Sequence, residues 1–203
     1  MSDERPFVLC LTGSLGMGKS TAAKFFAEVG VPVHDSDAAV HALYEGEAVP
    51  LIERAFPGTT VHGKVDRTKL AAMVLNDNAA LARLEALVHP LVFAAREKFL
   101  AEAQDRGAPV VVLDVPLLFE TGADRRCDAV AVVSAPPEVQ RQRAFERPGM
   151  TEDKLGAILR QQMPDAEKRR RADFIIDSSQ ALDHTRAQIR DILQRLTTMP
   201  RRR

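Results

Sequence analysis

The segment from Gly13 to Ser20 has the residue spacing of a phosphate-binding loop. It reads Gly-Ser-Leu-Gly-Met-Gly-Lys-Ser, which matches the pattern G-x-x-x-x-G-K-[ST]. The glycines permit a tight turn and a close approach of backbone to an anion, and successive N–H groups can then bind phosphates. Lys19 would place its ammonium on the terminal phosphates, and the Ser20 hydroxyl would ligate Mg²⁺. This chemistry predicts a P-loop enzyme that uses ATP as a phosphoryl donor.

The context of this loop supports the prediction. The loop follows an apolar run, 7–11, and precedes a segment, 21–29, whose apolar residues recur on one helical face. A strand, a glycine-rich turn and a helix form the setting that the motif requires, because the helix adds its positive N-terminus to the phosphate site. The alternative is a glycine-rich loop with a solvated lysine. The predicted ATP-binding residues are Gly13, Ser14, Leu15, Gly16, Met17, Gly18, Lys19, Ser20 and Thr21.

A carboxylate at the end of a buried strand is the usual companion of a P-loop, because it helps to hold Mg²⁺. Asp114 directly follows the β-branched run 110–113 and is the candidate. The alternative is a turn or capping aspartate before Pro116. We predict Ser20 and Asp114 as the metal ligands.

Asp35 and Asp37 follow the second predicted strand. In an extended chain, residues two apart point the same way, so both carboxylates would face a pocket at the carboxyl end of the sheet. One could accept the proton of an attacking hydroxyl, and the other could hold a metal-bound water. The alternative is that Ser36 and Asp37 cap the next helix.

The elements that would position these residues alternate along the chain. Short apolar runs predict strands, segments with helical periodicity separate them, and a closing helix spans 181–196. This alternation predicts an α/β fold, a three-layer sandwich with about five parallel strands between helices. The predicted strands are 7–11, 31–34, 110–115, 128–133 and 174–177.

Two segments exceed this minimal sheet. Residues 36–106 have an all-helical pattern, and we expect Pro90 to kink a long helix there. Residues 147–171 are polar and predict one short helix from about Thr151. The basic run 168–171 is either a solvated face or a contact for phosphates.

Composition limits the classes of partner. The chain has 203 residues and a formal net charge of +0, which gives no bulk attraction to nucleic acid. We expect no membrane helix, a disordered tail at 201–203 and a monomer, with an oligomer as the alternative. Two distant cysteines, Cys10 and Cys127, do not make a disulfide framework, so we expect a reduced, cytoplasmic protein.

The order of several short segments resembles the dephospho-coenzyme A kinase family over nearly the whole chain. Any one segment is a weak signal, but their order and spacing separate this family from other P-loop kinases. The matching segments are Leu11 to Thr21, Asp35-Ser36-Asp37 with His41, His89 to Val92, Asp114 to Glu120, Arg143 with Arg147, Gln162, and Ala172 to Ile176.

The resemblance implies a reaction and roles for individual residues. The reaction is transfer of the γ-phosphoryl group of ATP to the ribose 3′-hydroxyl of dephospho-CoA, the last step of CoA synthesis. Catalysis would involve Asp37 as the general base together with Lys19 and Arg143. Binding would involve Arg143 and Arg147 on ATP, and Asp37, His41, His89, Leu117 and Leu118 on the acceptor.

The resemblance also implies three parts: a nucleotide-binding core (1–35, 107–142 and 172–203), a helical acceptor-binding domain (36–106) and a lid (143–171). Two other functions stay open from the residues alone. One is another small-molecule P-loop kinase that acts on a nucleoside monophosphate or a sugar acid. The other is a non-catalytic nucleotide-binding switch.

Overall fold

Seven strands and nine α-helices lie within residues 5–202, the part of the chain that this computed structural model describes. The strands are β1 Phe7–Thr12, β2 Val33–Asp35, β3 Thr60–Val61, β4 Lys64–Val65, β5 Val110–Asp114, β6 Ala129–Ser134 and β7 Phe174–Asp177. The helices are α1 Lys19–Glu28, α2 Ser36–Tyr44, α3 Val49–Ala55, α4 Arg67–Val74, α5 Asn78–Asp105, α6 Pro137–Phe145, α7 Glu152–Gln161, α8 Asp165–Arg171 and α9 Leu182–Leu196. A short 3-10 helix, Ala123–Arg126, precedes β6. No helix in this part of the chain is long and apolar enough to cross a membrane.

The chain divides into two compact units, which we describe separately. The first unit comprises the described residues up to His34 and those from Ala103 onward, and the second comprises Asp35–Glu102. The strand that precedes the P-loop, the P-loop itself and residues 143–171 all belong to the first unit. The separate lid implied by the family resemblance stays a prediction.

A five-stranded sheet in the order β2-β5-β1-β6-β7 forms the centre of the first unit. Strand β1 pairs in parallel with both β5 and β6, and β6 pairs in parallel with β7. All residues of β1, β5 and β6 are buried, as expected for central strands covered by helices on both faces. The predicted α/β class and the five strands are confirmed.

The order of the strands brings the chemically active segments together. The P-loop leaves the end of β1, and the register pairs Leu11 of β1 with Asp114 of β5. Parallel strands end at the same edge of a sheet, so the predicted metal ligand and the P-loop emerge side by side. Helices α1 and α9 cover one face of the sheet with Phe25, Phe26 and Ile189.

Two aspartates satisfy backbone donors at the amino ends of strands. Asp128 precedes β6 and accepts the Val8 N–H of β1 at 2.9 Å, and Asp173 precedes β7 and accepts the N–H of Val130 in β6 at 2.8 Å. Arg5 binds Asp128, and Arg202 binds Asp173. Burial alone would raise the pKa of Asp128, but Arg5 and the Val8 N–H outweigh burial and hold that pKa below its usual value.

Arg202 also corrects an expectation from the sequence. The tail was expected to be disordered, but Arg202 lies 2.7 Å and 2.9 Å from the two carboxylate oxygens of Asp173. No local pattern indicates the pairing of Arg202 with Asp173, because the two residues are 29 positions apart. The last residue of the tail, Arg203, lies outside the described part of the chain.

Replacing Asp128 by Ala is expected to lower the free energy of unfolding by about 1–3 kcal/mol, because the buried Val8 N–H loses its acceptor. Asp128→Asn keeps an acceptor oxygen and should cost less. Since the folded pKa is depressed, the ionic contribution is present above the unfolded pKa of about 3.9 and is lost as the pH falls through the folded pKa. Urea denaturation at neutral pH and below about pH 4 measures both effects. Equal midpoints for wild type and Asp128→Ala at neutral pH would contradict this assignment.

The cysteines contradict the expectation of a reduced protein. Cys10 in β1 and Cys127, two residues before β6, form a disulfide with Cα atoms 5.8 Å apart. Both residues are buried. Their separation of 117 residues concealed the pairing, which depends on β1 and β6 being neighbours in the sheet.

The second unit packs four helical segments and one hairpin around its own apolar core, which includes Leu43, Ile52, Phe56 and Leu84. Asp35, Asp66 and Asp77 accept backbone N–H groups two and three residues ahead, which satisfies the first turns of α2, α4 and α5. Helix α5 continues across Pro90. The kink expected at Pro90 stays a prediction.

The prediction that residues 36–106 are all helical is wrong at one place. Strands β3 and β4 form an antiparallel hairpin, with His62 and Gly63 between them. Both turn residues have positive φ, 50° for His62 and 75° for Gly63. A two-residue turn of this kind matches the twist of a hairpin and requires φ > 0 at both positions. The His62-Gly63 dipeptide, which follows Thr60-Val61 and precedes Lys64-Val65, was the signal that the helical interpretation overlooked.

The polar segment 147–171 contains two helices. Helix α7 begins after Thr151, whose hydroxyl accepts the Lys154 N–H at 3.3 Å, so the predicted short helix is confirmed. Helix α8 follows and contains the basic run 168–171, so this segment has one helix more than predicted. Lys168 is fully buried, which excludes it from a solvated face.

Candidate active site

The P-loop depends on glycine at three positions. Gly16 and Gly18 have φ values of 80° and 82°, a region that other residues rarely adopt. A Cβ on Gly13 would lie 2.7 Å from the Val133 carbonyl oxygen, so the loop can leave β1 only without a side chain there. Helix α1 begins at Lys19, and its first N–H groups end the loop. This geometry fits the predicted anion cradle.

Lys19 is ion-paired with Asp114 at the end of β5. Both side chains are largely buried, with exposed fractions of 16% for Lys19 and 4% for Asp114. The carboxylate therefore lies where the lysine ammonium can reach either it or a phosphate in the loop.

Two glutamines hold the tip of the P-loop. The Leu15 N–H donates to Gln162 Oε1 at 3.2 Å, and the Leu15 carbonyl accepts from Gln140 Nε2 at 2.7 Å. Gln140 also fills the space beside Gly16, where a Cβ would lie 2.6 Å from the Gln140 carbonyl oxygen. Gln162 belongs to the segments that carry the family resemblance. Gln140 was not predicted, because no local sequence pattern marks it as a contact of the loop.

Arg143 lies beside the other end of the loop. It sits in the last turn of α6 and donates to the hydroxyl and carbonyl oxygens of Ser178 at 3.0 and 2.7 Å. The Ser178 hydroxyl in turn donates to the Met17 carbonyl at 2.7 Å. An arginine nitrogen lies 3.5 Å from the position that a Cβ on Gly18 would occupy. Arg143 is thus placed next to the loop that it was predicted to assist.

Arg147 does not share a helix face with Arg143. Both arginines fall within the predicted lid. However, α6 ends at Phe145, and Arg147 follows it in an exposed turn. Its N–H donates to the Ala144 carbonyl at 3.2 Å, as in a terminating helical turn. Its assignment to ATP stays a prediction.

The remaining residues of the loop differ in exposure. Ser20, the predicted metal ligand, is exposed at the start of α1, whereas Ser14 and Met17 are buried. Thr21 donates its N–H to the Gly18 carbonyl at 3.1 Å, which supports the start of the helix. Within residues 5–202, no group of three or more His, Cys, Asp or Glu side chains is arranged to hold a metal ion.

In the second unit, Asp37 lies in the first turn of α2, not in an extended chain. The expectation that Asp35 and Asp37 point the same way along a strand is therefore wrong. The Asp35 carboxylate accepts the N–H groups of Asp37 and Ala38 at 2.9 and 3.0 Å, so Asp35 is the helix cap. Asp37 is exposed, and the N-terminal turn of a helix favours its negative charge. Of the two carboxylates, only that of Asp37 is not used to cap the helix.

The predicted acceptor residues are divided between the two units. His41 on α2 and His89 on α5 are exposed in the second unit, and His41 lies 3.6 Å from Glu45. Leu117, which follows β5 in the first unit, is 40% exposed, whereas Leu118 is fully buried. Leu118 therefore packs in the core, and of the two leucines only Leu117 can offer its side chain to a ligand.

Comparison with known proteins decides the family. The family model for dephospho-CoA kinase matches residues 7–184. A protein of Rhodopseudomonas palustris named dephospho-CoA kinase is 62% identical over 196 residues, which cover 97% of this chain and 98% of that protein. The chain belongs to the dephospho-CoA kinase family. The resemblance inferred from the short segments is confirmed.

Solved structures agree with this fold. A crystal structure from Thermus thermophilus superposes with a TM-score of 0.82 at 35% identity, covering 95% of this chain and 99% of that one. Dephospho-CoA kinase from Campylobacter jejuni has a TM-score of 0.64 at 23% identity over 93% of this chain and 96% of that one, a likeness of fold. Membership of this family makes the chain a phosphotransferase, as its P-loop indicates.

Proposed function

We propose that this chain transfers the γ-phosphoryl group of ATP to the ribose 3′-hydroxyl of dephospho-CoA, giving CoA and ADP. The observation that carries the proposal is the glycine-built P-loop with Lys19 against Asp114, in a chain that belongs to the dephospho-CoA kinase family. The bond between the γ-phosphorus and the bridging oxygen of ADP breaks, and a bond from the acceptor oxygen to that phosphorus forms. The acceptor proton passes to a carboxylate.

The first unit would bind ATP. Phosphoryl transfer depends on positioning and on stabilisation of negative charge, and it needs no covalent intermediate with the protein. The N–H groups from Gly16 to Thr21 and the Lys19 ammonium supply positive charge to the phosphates. Arg143, held by Ser178 beside Gly18, would add a guanidinium suited to phosphate oxygens. Residues 143–171 would act as the lid that excludes water, which otherwise competes with the acceptor.

Ser20 and Asp114 fit a magnesium ion of the kind that phosphoryl transfer uses. A hydroxyl and a carboxylate are oxygen ligands, and Mg²⁺ keeps several waters and substrate oxygens, so two protein groups suffice. When bound, the ion would neutralise charge on the phosphates. Lys19 would leave Asp114 for those phosphates, and the carboxylate would then be available to the metal or one of its waters.

The second unit would supply the acceptor side. Asp37 is the proposed general base, because its carboxylate is exposed and is not used to cap α2. His41 and His89 are exposed imidazoles that would contact the acceptor, and the exposed Leu117 side chain would add an apolar contact. A base contributes when it lies within hydrogen-bond reach of the reacting hydroxyl.

A cytoplasmic location is also part of the proposal, and the disulfide bears on it. Disulfides are rare in reducing compartments, so the Cys10–Cys127 bond and a cytoplasmic location make opposing demands. Titration of thiols in protein denatured directly from a cell extract shows whether the disulfide forms in the cell. Two reactive thiols would show that the bond is absent in the cytoplasm.

A coupled assay of ADP release tests the proposed reaction. The enzyme with ATP and Mg²⁺ is offered dephospho-CoA, AMP, gluconate or no acceptor. We expect ADP release only with dephospho-CoA, and the product should be CoA by chromatography. ADP release with AMP or gluconate, and none with dephospho-CoA, would assign the chain to another acceptor.

A further inference from the structure

The residue that follows the P-loop-binding glutamine contacts a largely buried ion pair. Gln162 follows α7 as its C-terminal cap, and the next residue, Met163, donates its N–H to Glu120 Oε1 at 2.6 Å. The same oxygen lies 3.1 Å from Lys168 Nζ on α8. Glu120 therefore joins the segment that carries Gln162 to the connection that follows β5.

Helix α8 is fixed to the sheet at a second point. Asp165, its first residue, accepts the hydroxyl of Ser134 at the end of β6 at 2.7 Å. Together with the Lys168–Glu120 pair, this bond connects α8 both to β6 and to the connection that follows β5. The junction presents Gln162 to the Leu15 N–H across 147 residues of sequence.

The ion pair between α8 and the connection after β5 carries a cost of desolvation. Lys168 is fully buried, and within residues 5–202 neither Lys168 Nζ nor Glu120 Oε2 has a partner with hydrogen-bond geometry. A buried charge pair often stabilises a fold no more than apolar residues of the same volume would. We therefore look for its role in the geometry that it fixes. Burial alone would raise the pKa of Glu120, but the Met163 N–H and Lys168 outweigh it and lower that pKa.

We infer that Glu120 and Lys168 are positioning residues for nucleotide binding, which act through Gln162 by holding the Leu15 peptide in the shape that receives phosphate. The inference rests on the proposed function only in taking the P-loop as the ATP site. A loop that is ordered before its ligand arrives binds more tightly, because binding does not have to order it. Gln140 holds the Leu15 carbonyl independently, so the loop is not expected to collapse when Gln162 is lost.

The test measures binding of Mg-ATP by calorimetry with no acceptor present, so it does not depend on which acceptor the enzyme uses. Gln162→Met keeps the volume of the side chain and removes the oxygen that accepts the Leu15 N–H. We expect it to raise the Kd of ATP about 3- to 10-fold, the range of one hydrogen bond. Gln161→Met, at the exposed neighbouring position, is the matched control and should bind as wild type does.

Lys168→Met tests the second step. It should also raise the Kd about 3- to 10-fold, and the double variant with Gln162→Met should bind no more weakly than Gln162→Met alone, within about twofold. If Lys168 only stabilised the fold, Lys168→Met would lower Tm. In the double variant, the increases in Kd of the two single variants would then multiply. If Lys168→Met does not fold, Glu120→Gln takes its place, since an amide oxygen can still accept the Met163 N–H.

Two results would overturn the inference. Wild-type affinity in Gln162→Met would show that the Leu15 contact does not matter for nucleotide binding. Effects that multiply in the double variant would show that the ion pair does not act through Gln162. Failure of the dephospho-CoA assay alone would leave both measurements valid.

Discussion

Replacing Asp37 by Asn is expected to lower kcat by about 10²- to 10⁴-fold, which is the usual contribution of a general base. The affinity for ATP should stay near that of the wild type, because a general base acts on the acceptor hydroxyl and not on the phosphates of the nucleotide. The fold should also survive, since Asp35 and not Asp37 supplies the carboxylate that caps α2. Steady-state kinetics with dephospho-CoA and calorimetry with Mg-ATP measure the two effects separately.

Two control variants make this result specific. Glu47→Gln removes another exposed carboxylate of the same unit and should leave kcat unchanged. Asp35→Ala should cost about 1 kcal/mol of stability through the lost cap. An Asp37→Asn enzyme with the kcat of wild type would remove this residue from the role of base.

Replacing Lys19 by Met is expected to weaken nucleotide binding and turnover together, because the ammonium contacts the phosphates in both the ground state and the transition state. The structure adds an effect on stability. Lys19 is ion-paired with Asp114, whose side chain is only 4% exposed, and removing one partner of a buried pair costs about 3–5 kcal/mol. A loss of activity in Lys19→Met therefore has two sources, a missing contact and a weakened fold.

A second substitution separates these sources. Adding Asp114→Asn to Lys19→Met removes the carboxylate charge that has lost its ammonium, so Tm should recover towards the wild-type value. Activity should not recover, because the cation is still missing. Lys24→Met, an exposed lysine on the same helix, is the control and should bind ATP normally. Wild-type activity in Lys19→Met would contradict the phosphate cradle.

The sequence by itself determined the features that depend on neighbouring residues. The loop from Gly13 to Ser20 could be interpreted because its chemistry lies within one turn and a helix start. The α/β alternation could be interpreted because a buried parallel strand is a short apolar run. Both conclusions need only the local spacing of residue types.

Helical periodicity was less informative at the boundaries of elements. The helical prediction for 36–106 included the hairpin around His62 and Gly63. Its two strands have two residues each, which is too short for an alternation of apolar and polar residues to show. Asp37 was expected in an extended chain after the second strand, although the chain turns into α2 immediately after Asp35. Two positions along the chain separate the carboxylate that caps this helix, Asp35, from the one that does not, Asp37.

Only the tertiary structure decided which side chains support the loop. Gln140 and Gln162 contact Leu15 across 125 and 147 residues, and Cys10 meets Cys127 across 117. These contacts follow from β1 lying between β5 and β6, an order that no local pattern contains. A sequence specifies such partners only through the free energy of the whole packed chain. For that reason the phosphate cradle could be recognised from eight consecutive residues, while the side chains that hold it in shape required the fold.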